Sequence, residues 1–160
     1  MNFNACLFLS TLLCGLLAGL FYGYDCSVNT GLGNLPNHTY LSAFQSINSA
    51  IQNPYFFISF MGSGVFLLIT TWLSYTKSPA SFYFLLVAFI VFIVGVWGIT
   101  VFGNIPLNND LAQFDLKTAS ETTIAEKRKL FENSWNLYHR IRTMAAICSF
   151  SLIIISVLKK

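Results

Sequence analysis

Long apolar runs alternate with polar segments along this chain, and their lengths predict membrane spans. The runs cover residues 3–24, 56–75, 82–102 and 141–158. A helix needs about 20 residues to cross a hydrocarbon core of about 30 Å, so each run is of the right length. Because little chain is left over, we predict an all-α membrane protein with one domain over residues 1–160. Its four-transmembrane-helix bundle carries two long loops, residues 25–55 and 103–140.

A second hydrophobic pattern lies inside the first long loop. At 100° per residue, one side of residues 39–52 is apolar and the other is uncharged but polar. The apolar side consists of Tyr40, Leu41, Phe44, Ile47 and Ile51. We predict a short amphipathic helix that lies on the membrane surface or covers a cavity between the spans. Turns are expected at Gly31, Gly33 and Pro36 before it, and a break at Asn53-Pro54 after it.

The second long loop leads into the fourth span with no helix-breaking residue. Pro106 is expected to end the third span. Thr123 and Glu126 have the spacing of a capping box, which predicts a helix start there. From Thr123 to Leu158 the helix would extend about 54 Å at 1.5 Å per residue. The fourth helix is therefore predicted to project well beyond the membrane.

Composition agrees with a membrane protein and excludes several function classes. Hydrophobic residues make up 55% of the chain and charged residues 9%, against about 25% charged in an average soluble domain. A net charge of +3 without a basic stripe gives no support for nucleic-acid binding. The four cysteines predict no disulfide framework, and two histidines are too few for a metal centre. The first run has no basic residue before it, so we expect a retained helix instead of a cleaved signal peptide.

The distribution of charge gives a topology prediction. With four spans, both termini lie on the side of the short turn at Lys77, together with Lys159 and Lys160, and that side has no acid. The long loops carry six basic and six acidic side chains. The count of Lys and Arg places the long loops inside, whereas the net charge places the termini inside. We predict a multi-pass protein of the plasma or inner membrane with cytoplasmic termini.

The first span contains a ridge of small residues at every fourth position, formed by Gly15, Gly19 and Gly23. We predict that this ridge packs against another helix, either within the monomer or in a dimer.

The densest polar chemistry lies where the fourth helix approaches the membrane. Trp135, His139 and Arg142 are spaced i, i+4 and i+7 and share one helix face. His139 can act as a base near neutral pH, and Arg142 can hold an oxyanion. The substrate-binding residues predicted beside them are Asn104, Asn108, Trp135, Asn136, Gln45 and Asn48. The alternative is structural: these polar groups satisfy one another and the helix ends, and Trp135 belongs to an interfacial aromatic belt.

Two charged neighbours complete this region. Arg140 is expected to reach toward lipid headgroups. Asp25, at the end of the first span, is either an interface residue or a partner of Arg142 or His139. We expect no metal, because His38 with His139 would be a thin ligand set.

Four motifs occur in order: "GLFYGYDCSVNTGL", "LPNHTYLSAFQSIN" followed by "NP", "NIPLNNDL" and "WNLYHRIRT". In this order they resemble the anthrone oxygenase-like family of small four-helix integral membrane proteins, described as a domain of unknown function, over about residues 15–155. The most specific matches are N-x-P-L-N-x-x-L at residues 104–111 and W-N-x-x-H-x-x-R-T at residues 135–143. The chain departs from the family's usual residues at Asp25, Cys26, Thr30 and Phe44, near the expected cavity mouth.

The resemblance implies an oxidoreductase that acts on a lipophilic aromatic compound, either an anthrone or a quinone-like molecule. Such an oxygenase would need no cofactor, because a deprotonated anthrone can itself react with dioxygen. His139 would be the base, and Arg142 with Asn104 or Asn108 the anion anchor. The alternative hypothesis is a non-catalytic membrane protein that binds lipid or serves as an accessory subunit of a larger assembly. The expected partners are the lipid bilayer, a lipophilic small molecule and, as a further option, other subunits in an oligomer or complex.

Overall fold

The polypeptide is helical almost throughout, as a computed structural model of the chain shows for residues 2–159. Lys160, which entered the charge count of the termini, lies outside the described residues, as does Met1. The helices are α1 (Phe3–Gly23), α2 (Thr30–Gly33), α3 (Asn37–Ala50), α4 (Pro54–Lys77), α5 (Pro79–Val91), α6 (Ile105–Ala112) and α7 (Glu121–Leu158). Three π-helical segments join them: π1 (Tyr24–Asn29), π2 (Phe92–Gly98) and π3 (Thr100–Asn104). Residues 2–159 contain no β-strand, which confirms the all-α fold class.

Four helical stretches are long and apolar enough to cross a membrane. They are Phe3–Gly33, Pro54–Lys77, Pro79–Ala112 and Glu121–Leu158. The predicted bundle of four transmembrane helices is therefore confirmed, and the protein is a multi-pass membrane protein. Helix α7 has 38 residues, which corresponds to about 57 Å. This length confirms the long projecting fourth helix.

The short helix of the first loop is also confirmed. Helix α3 begins two residues earlier than predicted, directly after Pro36, and buries Tyr40, Leu41 and Phe44. The helix break predicted at Asn53-Pro54 lies between α3 and α4, as expected. Asn53 caps α4 through a side-chain oxygen that accepts from the Phe56 N–H at 3.0 Å, and Pro54 occupies the first turn. Proline fits there because the first-turn N–H groups have no partner within the helix.

Three predicted helix boundaries are wrong. Gly31 and Gly33 lie inside α2 and not in turns, so the first helical stretch continues ten residues past Gly23. Pro106 does not end the third stretch, which continues to Ala112. The π-helical turn before this proline shifts the hydrogen-bond register, so Pro106 falls in the first turn of α6, where its missing N–H costs little. Helix α7 begins at Glu121 because Ser120, and not Thr123, is its cap.

Two hydrophobic clusters stabilise the molecule. The larger one joins α1, α4, α5 and α7 within the bundle, and the smaller one joins α3, α6 and α7 above it. Buried hydroxyl groups connect the helices at the end of the bundle that carries Lys77. Ser10 shares a hydrogen bond with Thr70 at 2.7 Å, and Ser81 donates to the Ser156 carbonyl at 2.9 Å. Such small polar residues let helices pack closely in lipid.

The glycine ridge of α1 is used only in part. A methyl group on Gly15 would lie 3.0 Å from the ring of Phe150 on α7, so this glycine packs within the monomer. Methyl groups on Gly19 and Gly23 would meet no atom within 4 Å. Gly15 therefore allows close helix packing within the bundle, whereas Gly19 and Gly23 face open space.

Candidate functional site

The polar face of α7 turns inward at the junction of the two hydrophobic clusters. Trp135, His139 and Arg142 are 3%, 1% and 8% exposed, which confirms that they share a buried face. The rings of Trp135 and His139 stack at 4.9 Å with an angle of 15° between their planes. The Arg142 guanidinium carbon lies 5.3 Å from the Trp135 ring centroid and 4.5 Å from that of Phe21. Aromatic faces therefore stabilise a positive charge here.

Arg142 makes hydrogen bonds to neutral groups. Its Nε donates to His139 Nδ1 at 3.1 Å, its Nη2 lies 3.0 Å from the same nitrogen, and its Nη1 donates to Thr100 Oγ1 at 3.4 Å. Within residues 2–159, the ion pairs involve Lys127, Arg128 and Arg140 and leave out Arg142. The guanidinium is thus a buried cation without a carboxylate partner in the described part of the chain.

Asp25 does not compensate this charge by direct contact. Its carboxylate lies 4.0 Å from Arg140 Nε and accepts from Asn29 Nδ2 at 3.3 Å. Of the two alternatives for Asp25, the position at the interface is therefore the one that its contacts favour. Arg140 itself is mostly exposed, in contrast to Arg142 two residues later.

His139 is fixed from both sides of its ring. An arginine side chain can only donate hydrogen bonds, so Nδ1 must be the acceptor. The hydrogen therefore belongs on Nε2, which donates to the Phe21 carbonyl at 3.2 Å. This network assigns the neutral Nε2–H tautomer. The base role predicted for His139 needs the Nδ1 lone pair that Arg142 occupies, and it stays a prediction.

A cavity of about 450 Å³ lies against this cluster, between α1, α3, α4, α6 and α7. Its wall combines six aromatic residues with eight polar ones. The aromatic lining comprises Phe21, Tyr24, Phe56, Phe57, Phe60 and Trp135. Besides His139 and Arg142, polar groups come from Asn48, Gln52, Asn53, Thr100, Asn108 and Asn109. An apolar cavity of this size with convergent polar groups is typical of small-molecule sites.

Five of the eight predicted site residues contribute to the cavity wall: Asn48, Asn108, Trp135, His139 and Arg142. Trp135 Nε1 donates to Asn108 Oδ1 at 2.8 Å, so these two side chains orient each other. The amide nitrogen of Asn48 is buried and has no hydrogen-bond partner. Unpaired buried donors are costly, and this amide lies at the cavity wall.

The other three predicted residues lie outside the cavity wall. Gln45 Nε2 donates to the carbonyls of Leu111 and Phe114, each at 2.9 Å, and so fastens α3 to the end of α6. Asn104 Nδ2 donates to the Trp135 carbonyl at 3.3 Å. Asn136 has a buried side-chain oxygen without a partner. The contacts of Gln45 and Asn104 join helices, and a role of these three residues in substrate binding stays a prediction.

Sequence reasoning missed several residues of the cavity. Tyr24 packs edge-on against His139 at 5.1 Å, and Thr100 accepts from Arg142. Thr100 could have been found from the sequence, because it is a hydroxyl-bearing residue within an apolar run. The π-helical segments lie next to these residues: π1 begins at Tyr24 and π3 begins at Thr100. Such segments are frequent at functional sites, but they leave no clear sequence signal.

A basic side chain outside the membrane holds the first loop in place over the cavity. Arg128 Nη1 donates to the Leu35 carbonyl at 2.6 Å, and Nη2 donates to the Gly33 carbonyl at 2.8 Å. Its guanidinium stacks on the Tyr40 ring at 4.3 Å. Burial raises the pKa of Tyr40 above its ordinary value. The phenol of Tyr40 therefore stays neutral in this packed position.

A sequence model of the anthrone oxygenase family matches residues 54–152, more than half of the chain. The chain belongs to the anthrone oxygenase family. The resemblance seen in the sequence motifs is thereby confirmed, and the family indicates an oxygenase-like role. The matched region contains α4 to α6 and most of α7, including His139 and Arg142. No curated protein and no solved structure matches the chain.

Proposed function

We propose that this protein is a membrane-embedded oxygenase that acts on a lipophilic, enolisable aromatic ketone of the anthrone type. The observation that carries the proposal is Arg142, a buried cation with no carboxylate partner among residues 2–159, at the wall of a cavity that aromatic side chains help to line. The oxygenase-like role of the family supports the same conclusion.

The electrostatics of the site favour a ligand that becomes negative. Removing a guanidinium from water costs several kcal/mol, and neutral hydrogen-bond partners offset only part of this cost. The rings of Phe21 and Trp135 add a further attraction to the cation. An anionic oxygen within reach of Arg142 would complete the compensation. A preorganised charge of this kind stabilises a reaction in which an oxyanion develops.

Oxidation of an anthrone is such a reaction. Loss of a proton from the methylene carbon gives an anion whose negative charge is delocalised onto the ketone oxygen. Arg142 would hold this oxygen, while the carbon reacts with dioxygen. The substrate anion supplies the electrons. Overall, one anthrone and one dioxygen give one anthraquinone and one water, with one oxygen atom in the new carbonyl group and the other in water.

The position of the cavity suits a substrate from the bilayer. Leu20 and Phe57 belong to its wall, lie on apolar spanning helices and keep a large exposed fraction. A lipophilic compound could therefore reach the cavity from the hydrocarbon region.

We further propose that the bundle end with Lys77 and Lys159 faces the cytoplasm of a plasma or inner membrane. The hydrogen bond between Ser81 and Ser156 supports the grouping of these two lysines at one end.

Oxygen consumption with an anthrone tests the proposal. Purified protein in detergent should consume one dioxygen per anthrone and release the anthraquinone, which absorbs visible light. Arg142→Gln should lower kcat by about 10²- to 10³-fold, as expected when an oxyanion donor is removed. Arg140→Gln is the matched control, because Arg140 is exposed and outside the cavity wall, and it should retain the wild-type rate.

Folding of the buried variant is checked by its thermal unfolding midpoint. Arg142→Lys keeps the positive charge in case Arg142→Gln unfolds. Absence of oxygen uptake by the wild type, or equal rates for wild type and Arg142→Gln, would refute the proposed function.

A further inference from the structure

We propose that His139 is a positioning residue that fixes the Arg142 guanidinium and does not accept the substrate proton. The inference rests on the proposed function, which it deepens by assigning separate roles to the two side chains. It departs from the simplest expectation for a histidine beside a reacting carbon, which is general base catalysis.

Both ring nitrogens of His139 are already engaged. Two N–H groups of one guanidinium converge on Nδ1, from Nε at 3.1 Å and from Nη2 at 3.0 Å. On the opposite side of the ring, Nε2 donates to the Phe21 carbonyl at 3.2 Å. A neutral imidazole has one acceptor nitrogen and one donor nitrogen. Neither nitrogen therefore has a lone pair free for a substrate proton.

Packing holds the imidazole in this orientation. Trp135 covers one face of the ring at 4.9 Å, and the rings of Tyr24 and Phe21 approach at centroid distances of 5.1 Å and 5.8 Å. Rotation of His139 would break the contacts on all sides at once. The imidazole is therefore a rigid acceptor that aligns the guanidinium plane of Arg142.

The positive charge of Arg142 also disfavours protonation of His139, which a general base would require. A proton on Nδ1 would displace both donors of Arg142 and place a second positive charge within about 3 Å of the guanidinium. Asp25, the acid on the neighbouring helix, contacts Arg140 and Asn29 and does not separate the two cations. Protonation of His139 would therefore oppose the anchor that stabilises the substrate anion.

The substrate proton then passes to water or hydroxide. The cavity reaches solvent at its polar end, where Gln52 and Asn109 are exposed and Asn53 is half-buried. Arg142 makes the methylene group more acidic by stabilising the negative charge on the ketone oxygen. Proton transfer to hydroxide forms water and leaves the substrate anion beside Arg142, so the step is balanced without a protein base.

Two substitutions separate positioning from base catalysis. Asn at position 139 places an acceptor oxygen the same number of bonds from the backbone as Nδ1, and it cannot act as a base. Leu provides neither an acceptor nor a base. With an anthrone, His139→Asn should keep kcat/KM within about tenfold of wild type, whereas His139→Leu should lose about 10²- to 10³-fold, as Arg142→Gln does. The pH profile of kcat/KM should have the same shape for wild type and His139→Asn.

Base catalysis predicts a different pattern. Asn and Leu would then both lose about 10²- to 10⁴-fold, and a limb of the wild-type pH profile would be absent in His139→Asn. Either result overturns the inference, as does wild-type activity in both variants. If His139→Leu unfolds, His139→Gln replaces it, because its amide can still donate to the Phe21 carbonyl but lacks the acceptor at the Nδ1 position.

A binding probe distinguishes failure of this inference from failure of the oxygenase proposal. A hydroxyanthraquinone has no methylene group to oxygenate, and it changes colour when its phenol ionises. If the wild type binds the phenolate without consuming oxygen with an anthrone, the oxygenase proposal fails, and phenolate affinity decides the role of His139. Retained affinity in His139→Asn and lost affinity in His139→Leu would then support positioning. Absence of both turnover and phenolate binding in the wild type would overturn both proposals.

Discussion

Gly95→Ala is expected to force π2 and α7 apart at a close contact within the bundle. Gly95 lies in π2, and a methyl group on it would be 2.5 Å from the Cβ atom of Ala145 on α7. Carbon atoms in contact lie about 3.5–4.0 Å apart, so π2 and α7 must move apart by about 1.0–1.5 Å. Ala145 Cβ is attached directly to a helix backbone and cannot rotate away. The substitution therefore strains the packing of the bundle.

The expected magnitude combines two opposing effects. Overpacking a tight core costs about 1–3 kcal/mol. Replacing glycine by alanine within a helix stabilises it by up to about 1 kcal/mol. Gly19→Ala on α1 isolates the second effect, because its methyl group would meet no atom within 4 Å. The unfolding free energy of Gly95→Ala should therefore be lower than that of Gly19→Ala by about 1–3 kcal/mol, since the helix-forming gain is shared.

A double substitution tests the cause directly. Ala145→Gly in the Gly95→Ala background removes the clashing methyl group and leaves the new one 3.8 Å from the Ala145 Cα position, an ordinary contact. The exchanged pair should return close to wild-type stability. Reversible unfolding in mixed detergent micelles, followed by tryptophan fluorescence, measures the wild type, Gly95→Ala, Gly19→Ala, the double variant and Ala145→Gly alone, which completes the double-mutant cycle. A coupling free energy near zero, or equal stability of Gly95→Ala and Gly19→Ala, would refute the reasoning.

Two further substitutions test the surroundings of the cavity. Gln45→Leu should reduce stability by about 1–3 kcal/mol, because it removes the hydrogen bonds from α3 to the Leu111 carbonyl and to the Phe114 carbonyl just beyond α6. Gln52→Leu is its control in the same unfolding assay, because Gln52 is exposed and makes only a local hydrogen bond to the Asn48 carbonyl. Equal effects of the two substitutions would contradict a role of Gln45 in joining α3 to α6. Trp135→Phe keeps an aromatic ring beside His139 but loses the donor to Asn108, so KM for an anthrone should rise several-fold. Because Trp135 is buried in the smaller hydrophobic cluster, the same substitution should also lower stability by about 1–3 kcal/mol. An unchanged KM would show that the orientation of Asn108 does not matter for binding.

Much of the fold follows from local properties that the sequence displays directly. The lengths of the four apolar runs determined the four spanning helices, because lipid requires each segment to satisfy its own backbone hydrogen bonds. The spacing of Trp135, His139 and Arg142 determined their common face, because it follows the helical repeat. The amphipathic helix α3 followed from its periodicity in the same way. Asn53 and Pro54 marked the start of α4 because capping depends on adjacent residues.

Only the tertiary structure decided what these elements form together. Pro106 remained inside a helical stretch because π-helical turns shifted the hydrogen-bond register, and no local pattern announces such a shift. Gln45 points its amide at a carbonyl near the end of α6, and Asn104 points its amide at a carbonyl within α7, so both contacts depend on how the helices pack. Thr100 and Tyr24 joined the site because separate helices bring them to Arg142 and His139. The sequence determined which helices form and which face of α7 is polar, whereas the partners of that face depend on contacts between residues far apart in the chain.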